Sequence, residues 1–367
     1  MKNTIKVWSN TESYLKNRKT YIKIFDKVSN SSQIILGPEV KNFEEKFSDF
    51  TGNKYGIGVN SGTDALEIIL MTLGVGRGDE VITTSNTAVP TVSAIVSCNA
   101  KPIFVDINEK DFLINISQIN KKITKKTKAI IVVNLYGQCV NFKELRKIIK
   151  NKKINIIEDC AQSTGSYQNG KPSGSFGIMS AFSFYPTKNL GTLGDGGMVV
   201  TNNKKFYLKA IQLRKYGMSK QYYSNFHGIN SRLDELHAAL LNFKLKNLKN
   251  SIKKRRLIAN YYNQNIKNSK LILPTENKDN YHAYYVYVVR SKTRSKFLKY
   301  LKKKNILCNI SYPYPIHLMK GYRYLGYKKG DLKVTEKIAR EIFSLPMYPE
   351  LSMQKVRYIV KTINNFN

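Results

Sequence analysis

Hydrophobic residues recur along the chain at two different periods, and the period changes from one segment to the next. Val40, Phe43, Phe47 and Phe50 repeat at helical spacing with charges between them, which predicts a helix over 40–50, ended by Gly52 and Asn53. The apolar run 55–59 predicts a short strand. Ser61-Gly62-Thr63-Asp64 then leads into Ala65, Leu66, Ile68, Ile69 and Leu73, a helix start followed by an amphipathic helix. The alternation continues with strands at 81–84 and 102–105, a helix at 90–98 between them, a strand at 129–134, a helix at 142–149 and a strand at 154–157. Repetition of this kind implies a mostly parallel sheet covered by helices on both faces. The Gly- and Ser-rich stretch 165–177 reads as loop, 180–185 and 198–201 as strands flanking the loop around Lys188, and 233–248 as one long helix. The segment ahead of residue 40 reads as a polar arm. From about residue 250 the character changes to a helix, an aromatic strand at 284–289, a Pro-rich stretch at 312–315 and a closing helix, so a smaller second domain is expected there.

Composition narrows the class. With 367 residues, 42% of them hydrophobic and 23% charged, the chain can bury a large core. Sixty-one Lys and Arg against 25 Asp and Glu give a formal net charge of +36, which alone would point to nucleic acid or a membrane surface. The lysines, however, are spread through 121–128, 147–153, 244–254 and 302–304, segments that read as solvated helix faces and loops, amid abundant Asn and Ile. Biased base composition accounts for that pattern, so no nucleic-acid partner is expected, although a positive field favours an anionic substrate. Cys98, Cys139, Cys160 and Cys308 lie far apart, so neither a zinc site nor a disulfide framework is indicated, and a reducing cytoplasm fits. Residues 1–10 lack the apolar core of a signal peptide, and no apolar run approaches the roughly 20 residues of a membrane span.

Lys188 stands in Ser183-Phe184-Tyr185-Pro186-Thr187-Lys188-Asn189-Leu190-Gly191, 29 positions after Asp159, which follows the apolar run 154–157. A strand ending in a carboxylate and a second strand leading to a lysine supply the anion and the amine that pyridoxal 5′-phosphate requires. Free lysine, with a pKa of about 10.4, is a poor nucleophile at neutral pH, but an imine to the cofactor lowers that pKa. Once substrate amine displaces it, the same lysine can move a proton between the substrate carbon and the cofactor. An isolated lysine in so lysine-rich a chain would ordinarily be surface solvation. Here Asn189-Leu190-Gly191 and Asp195-Gly196-Gly197 provide the glycines that a buried loop needs. Asp159 lies where parallel sheets gather ligand groups, although an aspartate there can also cap the next helix. Gln162 could bond the phenolic oxygen of the cofactor or pack over its ring. Ser61-Gly62-Thr63 offers N–H groups and a hydroxyl at a helix N-terminus, a phosphate site without a Walker lysine or else a plain cap.

Together these segments resemble the sugar aminotransferases of the DegT/DnrJ/StrS family. The resemblance runs from Leu36-Gly37-Pro38-Glu39-Val40 to Leu345-Pro346-Met347-Tyr348-Pro349. Its most specific pieces are Ser61-Gly62-Thr63-Asp64-Ala65-Leu66, Gly78-Asp79-Glu80-Val81-Ile82, Glu158-Asp159-Cys160-Ala161-Gln162, residues 183–197 and residues 228–235. It implies an α/β, aspartate aminotransferase-like fold (PLP fold type I). Residues 1–249 would form the N-terminal arm and a large cofactor-binding domain with a mostly parallel seven-stranded sheet, and residues 250–367 a smaller α+β domain. It also implies that Lys188 forms the imine with pyridoxal phosphate, Asp159 pairs with the ring nitrogen and Gln162 contacts the ring oxygen. Gly62, Thr63 and Ser183 would bind the phosphate, and Asn230 would reach the phosphate of the neighbouring subunit, making a homodimer with shared sites. Many family members place an aromatic residue over the cofactor in the segment matching Ser85-Asn86-Thr87-Ala88-Val89-Pro90. This chain has Ala88 there, so Asn86 or another group must cover the ring.

The resemblance further implies two half-reactions, with L-glutamate giving its amino group and a nucleotide-linked keto sugar receiving it. Tyr312, Tyr314, His317, Tyr185 and Arg232 are the candidate substrate residues. Segments 86–93 and 312–318 look more like those of enzymes making 3-amino-3,6-dideoxyhexoses on dTDP. Amination at C3 of a dTDP-3-keto-6-deoxyhexose, for glycan or lipopolysaccharide amino sugars, is therefore expected, with C4 of a UDP- or dTDP-4-keto sugar as the alternative. Lys188 argues against the dehydratase branch of the family, where histidine replaces it. A catalytically idle regulator or binding protein is the alternative of another class, and the complete set of Lys188, Asp159, Gln162 and Ser183 speaks against it.

Overall fold

The computed structural model describes residues 4–150 and 152–367, so the first three residues of the N-terminal segment and position 151 in the lysine run lie outside the described residues. Seven strands make the central sheet: β1 (Tyr55–Val59), β2 (Glu80–Thr84), β3 (Lys101–Val105), β4 (Thr127–Val133), β5 (Asn155–Asp159), β6 (Met179–Ser183) and β7 (Gly197–Thr201). Their spatial order is β1-β7-β6-β5-β4-β2-β3. β7 runs antiparallel to both neighbours, and the other pairings are parallel.

Alternation within the strands explains why helices cover both faces. Val81, Ala129, Ile131, Ile157, Met179, Ala181 and Val199 point to one side, where α3 (Gly62–Thr72), α4 (Val89–Ser97) and α6 (Lys204–Leu213) pack on them. Their in-between neighbours Ile82, Ile130, Val132 and Ile156 face the other side, toward α5 (Phe142–Ile149). On that side Phe182, Met198 and Val200 meet α2 (Pro38–Phe50) and α7 (Glu235–Leu245). Phe47 packs edge-on against Phe182 and Phe184 at 4.9 and 5.1 Å, which fixes the strand that leads to Ser183 and Lys188. Truncating a ring buried in this way costs roughly 3–5 kcal/mol.

A second core lies C-terminal to the sheet. Here α8 (Leu248–Asn265), α9 (Arg294–Lys303) and α11 (Met353–Asn364) pack around the antiparallel pair β8 (Tyr287–Arg290) and β9 (Ile342–Leu345), which α10 (Lys333–Glu341) precedes. Residue 250, the expected start of the smaller domain, falls in the first turn of α8.

Three elements differ from expectation. The 233–248 helix is two helices, α7 and α8, divided at Lys246 and Asn247; the apolar spacing of Leu241, Leu245 and Leu248 carries straight across the break and hides it. The polar arm contains a 20-residue helix, α1 (Thr11–Asn30), whose buried stripe is only Tyr21 and Val28. The 165–177 loop contains a small hairpin pairing Tyr167–Gln168 with Lys171–Pro172. Among the described residues, no helix is long and apolar enough to cross a membrane.

Candidate active site

The carboxyl ends of the parallel strands share one edge of the sheet, and each delivers a polar residue there: Ser85 after β2, Asp106 after β3, Asn134 after β4, Asp159 on β5 and Ser183 on β6. β7 runs the other way, so its first residue sits at the same edge. There Gly197 passes so close to the β1–α3 turn that a Cβ would come within 2.2 Å of the Ser61 carbonyl oxygen. Gly62 is pressed against Ser183 in the same manner, a Cβ there meeting that of Ser183 at 2.8 Å. Ser61 caps α3 by accepting from the Asp64 N–H at 3.1 Å. Gly62 and Ser183 are thus brought together at the N-terminus of α3, with Thr63 next in the chain, as a candidate anion cradle.

Asp159 is 4% exposed. Its Oδ2 accepts from the Thr91 hydroxyl at 2.7 Å and its Oδ1 from the Ala161 N–H at 3.1 Å. Burial pushes its carboxyl above the usual carboxylate range, against the pull of those two donors and of the Lys188 charge. A buried carboxylate with two donors has room for another, as a protonated ring nitrogen would provide. Lys188 is half-buried beyond β6, its Nζ 4.7 Å from the centre of the Tyr285 ring, while the Tyr285 hydroxyl bonds the Thr187 hydroxyl at 3.0 Å. Gln162 accepts from the Tyr136 N–H at 2.9 Å and donates to the Tyr312 hydroxyl. Tyr136 and Tyr312 stack with their planes 16° apart, and both have positive φ.

The remaining predicted residues are placed differently. Asn230 is solvent-exposed, and its backbone pairs with Lys215 in an isolated antiparallel bridge. Its neighbour Ser231 instead ties this turn to the cradle by donating to Asp64 at 2.6 Å. Arg232 lines a separate cavity of about 470 Å³ with Lys215, Tyr216, Lys220 and Tyr222. Tyr185 and Tyr314 are 51% and 72% exposed. His317 is fully buried, with both ring nitrogens engaged by Ser85 and Glu336 rather than turned toward an open cleft.

Thr91, Tyr136 and Tyr285 belong to the site but were not picked out in the sequence. Thr91 lies one helical turn beyond Thr87, to which it bonds at 2.9 Å, and Tyr136 follows the end of an apolar strand directly before a glycine. Ala88 directly precedes α4 and gives it no side-chain cap. Beside it, the buried Asn86 Nδ2 and Tyr136 Oη have no hydrogen-bond partner among the described residues. They are close enough for Asn86 to ease the burial penalty on the Tyr136 hydroxyl, yet outside bonding geometry.

An α/β sheet that gathers a lysine, a buried aspartate and an anion cradle at its carboxyl edge defines a cofactor-dependent group-transfer enzyme. The pattern of the DegT/DnrJ/EryC1/StrS aminotransferase family matches residues 16–364, and the chain belongs to that family. It is 43% identical over 354 residues to a dTDP-3-amino-3,4,6-trideoxy-alpha-D-glucose transaminase of Micromonospora megalomicea subsp. nigra, covering 95% of each chain. It is 39% identical to a pleiotropic regulatory protein of Geobacillus stearothermophilus, covering 97% of this chain and 96% of that one. Among solved structures, S. venezuelae DesV, in complex with a ketimine intermediate, superposes with a TM-score of 0.96 at 32% identity over 98% of both chains. The PLP form of a sugar aminotransferase from Streptococcus pneumoniae gives 0.89 at 26% identity, over 94% of this chain and 95% of that one. The expected fold, enzyme class and cofactor all hold.

Proposed function

We propose that the chain transfers the amino group of L-glutamate to a nucleotide-linked deoxysugar, at C3 of a dTDP-3-keto-6-deoxyhexose. The coarser statement, a nucleotide-sugar aminotransferase, rests on the family and its named relatives. The 3-amino product in the Micromonospora relative's name supports the finer one. The observation that carries the assignment is Asp159, buried with two donors and within the field of Lys188, beside the Gly62–Ser183 cradle.

When bound, pyridoxal phosphate supplies an electron sink for the bond broken at the amine-bearing carbon. Lys188 would hold it through Nζ, and its amine would carry a proton to and from the substrate carbon. Asp159 would keep the positive charge on the ring nitrogen that makes the sink effective, and Thr91 and Ala161 fix its carboxylate in place. Gln162 would contact the ring oxygen, while Gly62, Thr63 and Ser183 would receive the phosphate. Asn230, exposed on its turn, serves the phosphate site of the partner protomer, so the working unit is a homodimer. Residues 1–249 hold the cofactor, and 250–367 bring Tyr312 to its edge.

Purified protein is expected to be yellow, with an absorbance band that borohydride shifts by fixing the cofactor on Lys188 and that Lys188→Ala abolishes. Colourless protein that binds no pyridoxal phosphate would sink the assignment. Incubation with glutamate and panels of dTDP- and UDP-linked 3-keto and 4-keto sugars, with the new amine located by NMR, tests the position. Turnover of a 4-keto sugar alone would reject C3 and leave the aminotransferase standing.

A further inference from the structure

His317 sits where no substrate can touch it, yet it is wired to both sides of the site. Its backbone N–H donates to Ser85 Oγ at 3.1 Å, and Ser85 Oγ lies 2.8 Å from the His317 Nδ1. The Glu336 carboxylate can only accept, so the neutral ring takes the tautomer in which Nδ1 accepts from the Ser85 hydroxyl. The ring proton is then on Nε2, which donates to Glu336 at 3.3 Å. The Ile316 N–H donates to the Ser85 carbonyl at 3.3 Å, and Glu336 also accepts from the Gly330 N–H at 2.7 Å. Every polar atom of the imidazole is used, inside a fully buried seat.

The seat joins two segments that both line the site. Ser85 directly precedes Asn86, Thr87 and Ala88, and Thr87 leads through Thr91 to Asp159. Five residues before His317 in sequence, Tyr312 takes the hydrogen bond from Gln162. Tyr312 has φ of 59°, a left-handed conformation that costs a bulky residue energy and needs support from its surroundings. The segment is held at one end by His317 and meets Gln162 at the other.

We propose that His317 is a positioning residue, which from its seat between Ser85 and Glu336 holds the Tyr312 hydroxyl against Gln162 and acts on the reaction through Tyr312. This rests on the aminotransferase reading above. The test is a double-mutant cycle of His317→Gln and Tyr312→Phe, with Ser85→Ala as the second route to the same loss should the buried histidine change prevent folding. Each single change is expected to lower kcat for the sugar half-reaction about 10- to 100-fold, as misplacement of a site by an ångström does. The double variant should be no worse than either single one. His317→Gln should also move the bound cofactor's absorbance maximum in the same direction as Tyr312→Phe. Effects that multiply in full, or an absorbance maximum moved by Tyr312→Phe and untouched by His317→Gln, would overturn the proposal. A crystal structure of cofactor-free His317→Gln or Ser85→Ala decides it without catalysis: the Tyr312–Gln162 bond should open beyond about 3.5 Å. An intact bond there refutes the positioning role even if the cofactor assignment were to fail for other reasons.

Discussion

Two strand ends of the same sheet carry a buried aspartate, and they do opposite work. Asp106, just past β3, is 6% exposed and accepts four bonds: from the N–H groups of Ile107, Val334 and Thr335 and from the Thr335 hydroxyl, at 2.7–2.9 Å. It caps α10 from a distant part of the chain and has little capacity left. Asp159, at the end of β5, is as deeply buried but accepts only two. Residue type, strand direction and burial agree, so the number of donors separates a structural carboxylate from one kept for a ligand. Glu158, the neighbour of Asp159, falls on the structural side, with donors at Gly174, Phe176, Gly177, Ser180 and Asn134.

The sharpest way to break this contrast is to neutralise both aspartates. Asp159→Asn is expected to lower kcat about 10²–10³-fold, the loss typical of a removed electrostatic stabiliser, while urea unfolding of the cofactor-free protein stays unchanged or improves slightly. Improvement would follow because an under-satisfied buried charge has been removed. Activity retained within tenfold would mean that Asp159 is not the group opposite the ring nitrogen.

Asp106→Asn should give the reverse pattern. Replacing a carboxylate that accepts four bonds leaves an N–H or hydroxyl of α10 facing an amide donor, at a cost of about 2 kcal/mol in urea unfolding. Its kcat/KM should remain within about threefold of wild type, since the site lies on other strands. A large kinetic loss without destabilisation would show that donor count does not divide the two.

The part of this division legible in the sequence is the part made by neighbouring residues. Asp159 and Lys188 stand out because apolar strands lead to both, and Ser61 to Thr63 because helical spacing begins immediately after them. Asp106 also ends an apolar strand, and nothing local distinguishes it from Asp159. Its partners Val334 and Thr335 are more than two hundred positions away. The same distance hid the fate of His317, which the resemblance placed among the substrate residues and whose ring is taken up by Ser85 and Glu336. Tyr136 was obscured for a different reason: its positive φ places it by backbone geometry that spacing does not encode. The sheet itself was readable throughout, because alternation within each strand is a local property. The break between α7 and α8 was not, since the apolar period continues through it.

Counting partners also makes a prediction for a base. His282 is 4% exposed, stacks on Tyr284 at 4.0 Å, and its Nδ1 accepts from the Tyr284 N–H at 2.9 Å. Its neutral form is the one satisfied here, because a proton on Nδ1 would face an N–H donor. Burial, with the nearby Arg256 charge, lowers its pKa to about 3. An unfolded histidine takes up a proton near pH 6.5, whereas this one does not until far lower, so between those values the unfolded chain binds more protons. Stability from this group is therefore full above about pH 6.5 and falls as the pH drops toward 3, by ~1.4 kcal/mol per pH unit. His282→Asn, whose Oδ1 can still accept from Tyr284, should remove that slope from a series of urea titrations between pH 4 and 7. Carboxylates elsewhere contribute equally to both proteins, so the difference between the two slopes is the measurement, and identical slopes would show that the neutral ring is not what the fold selects.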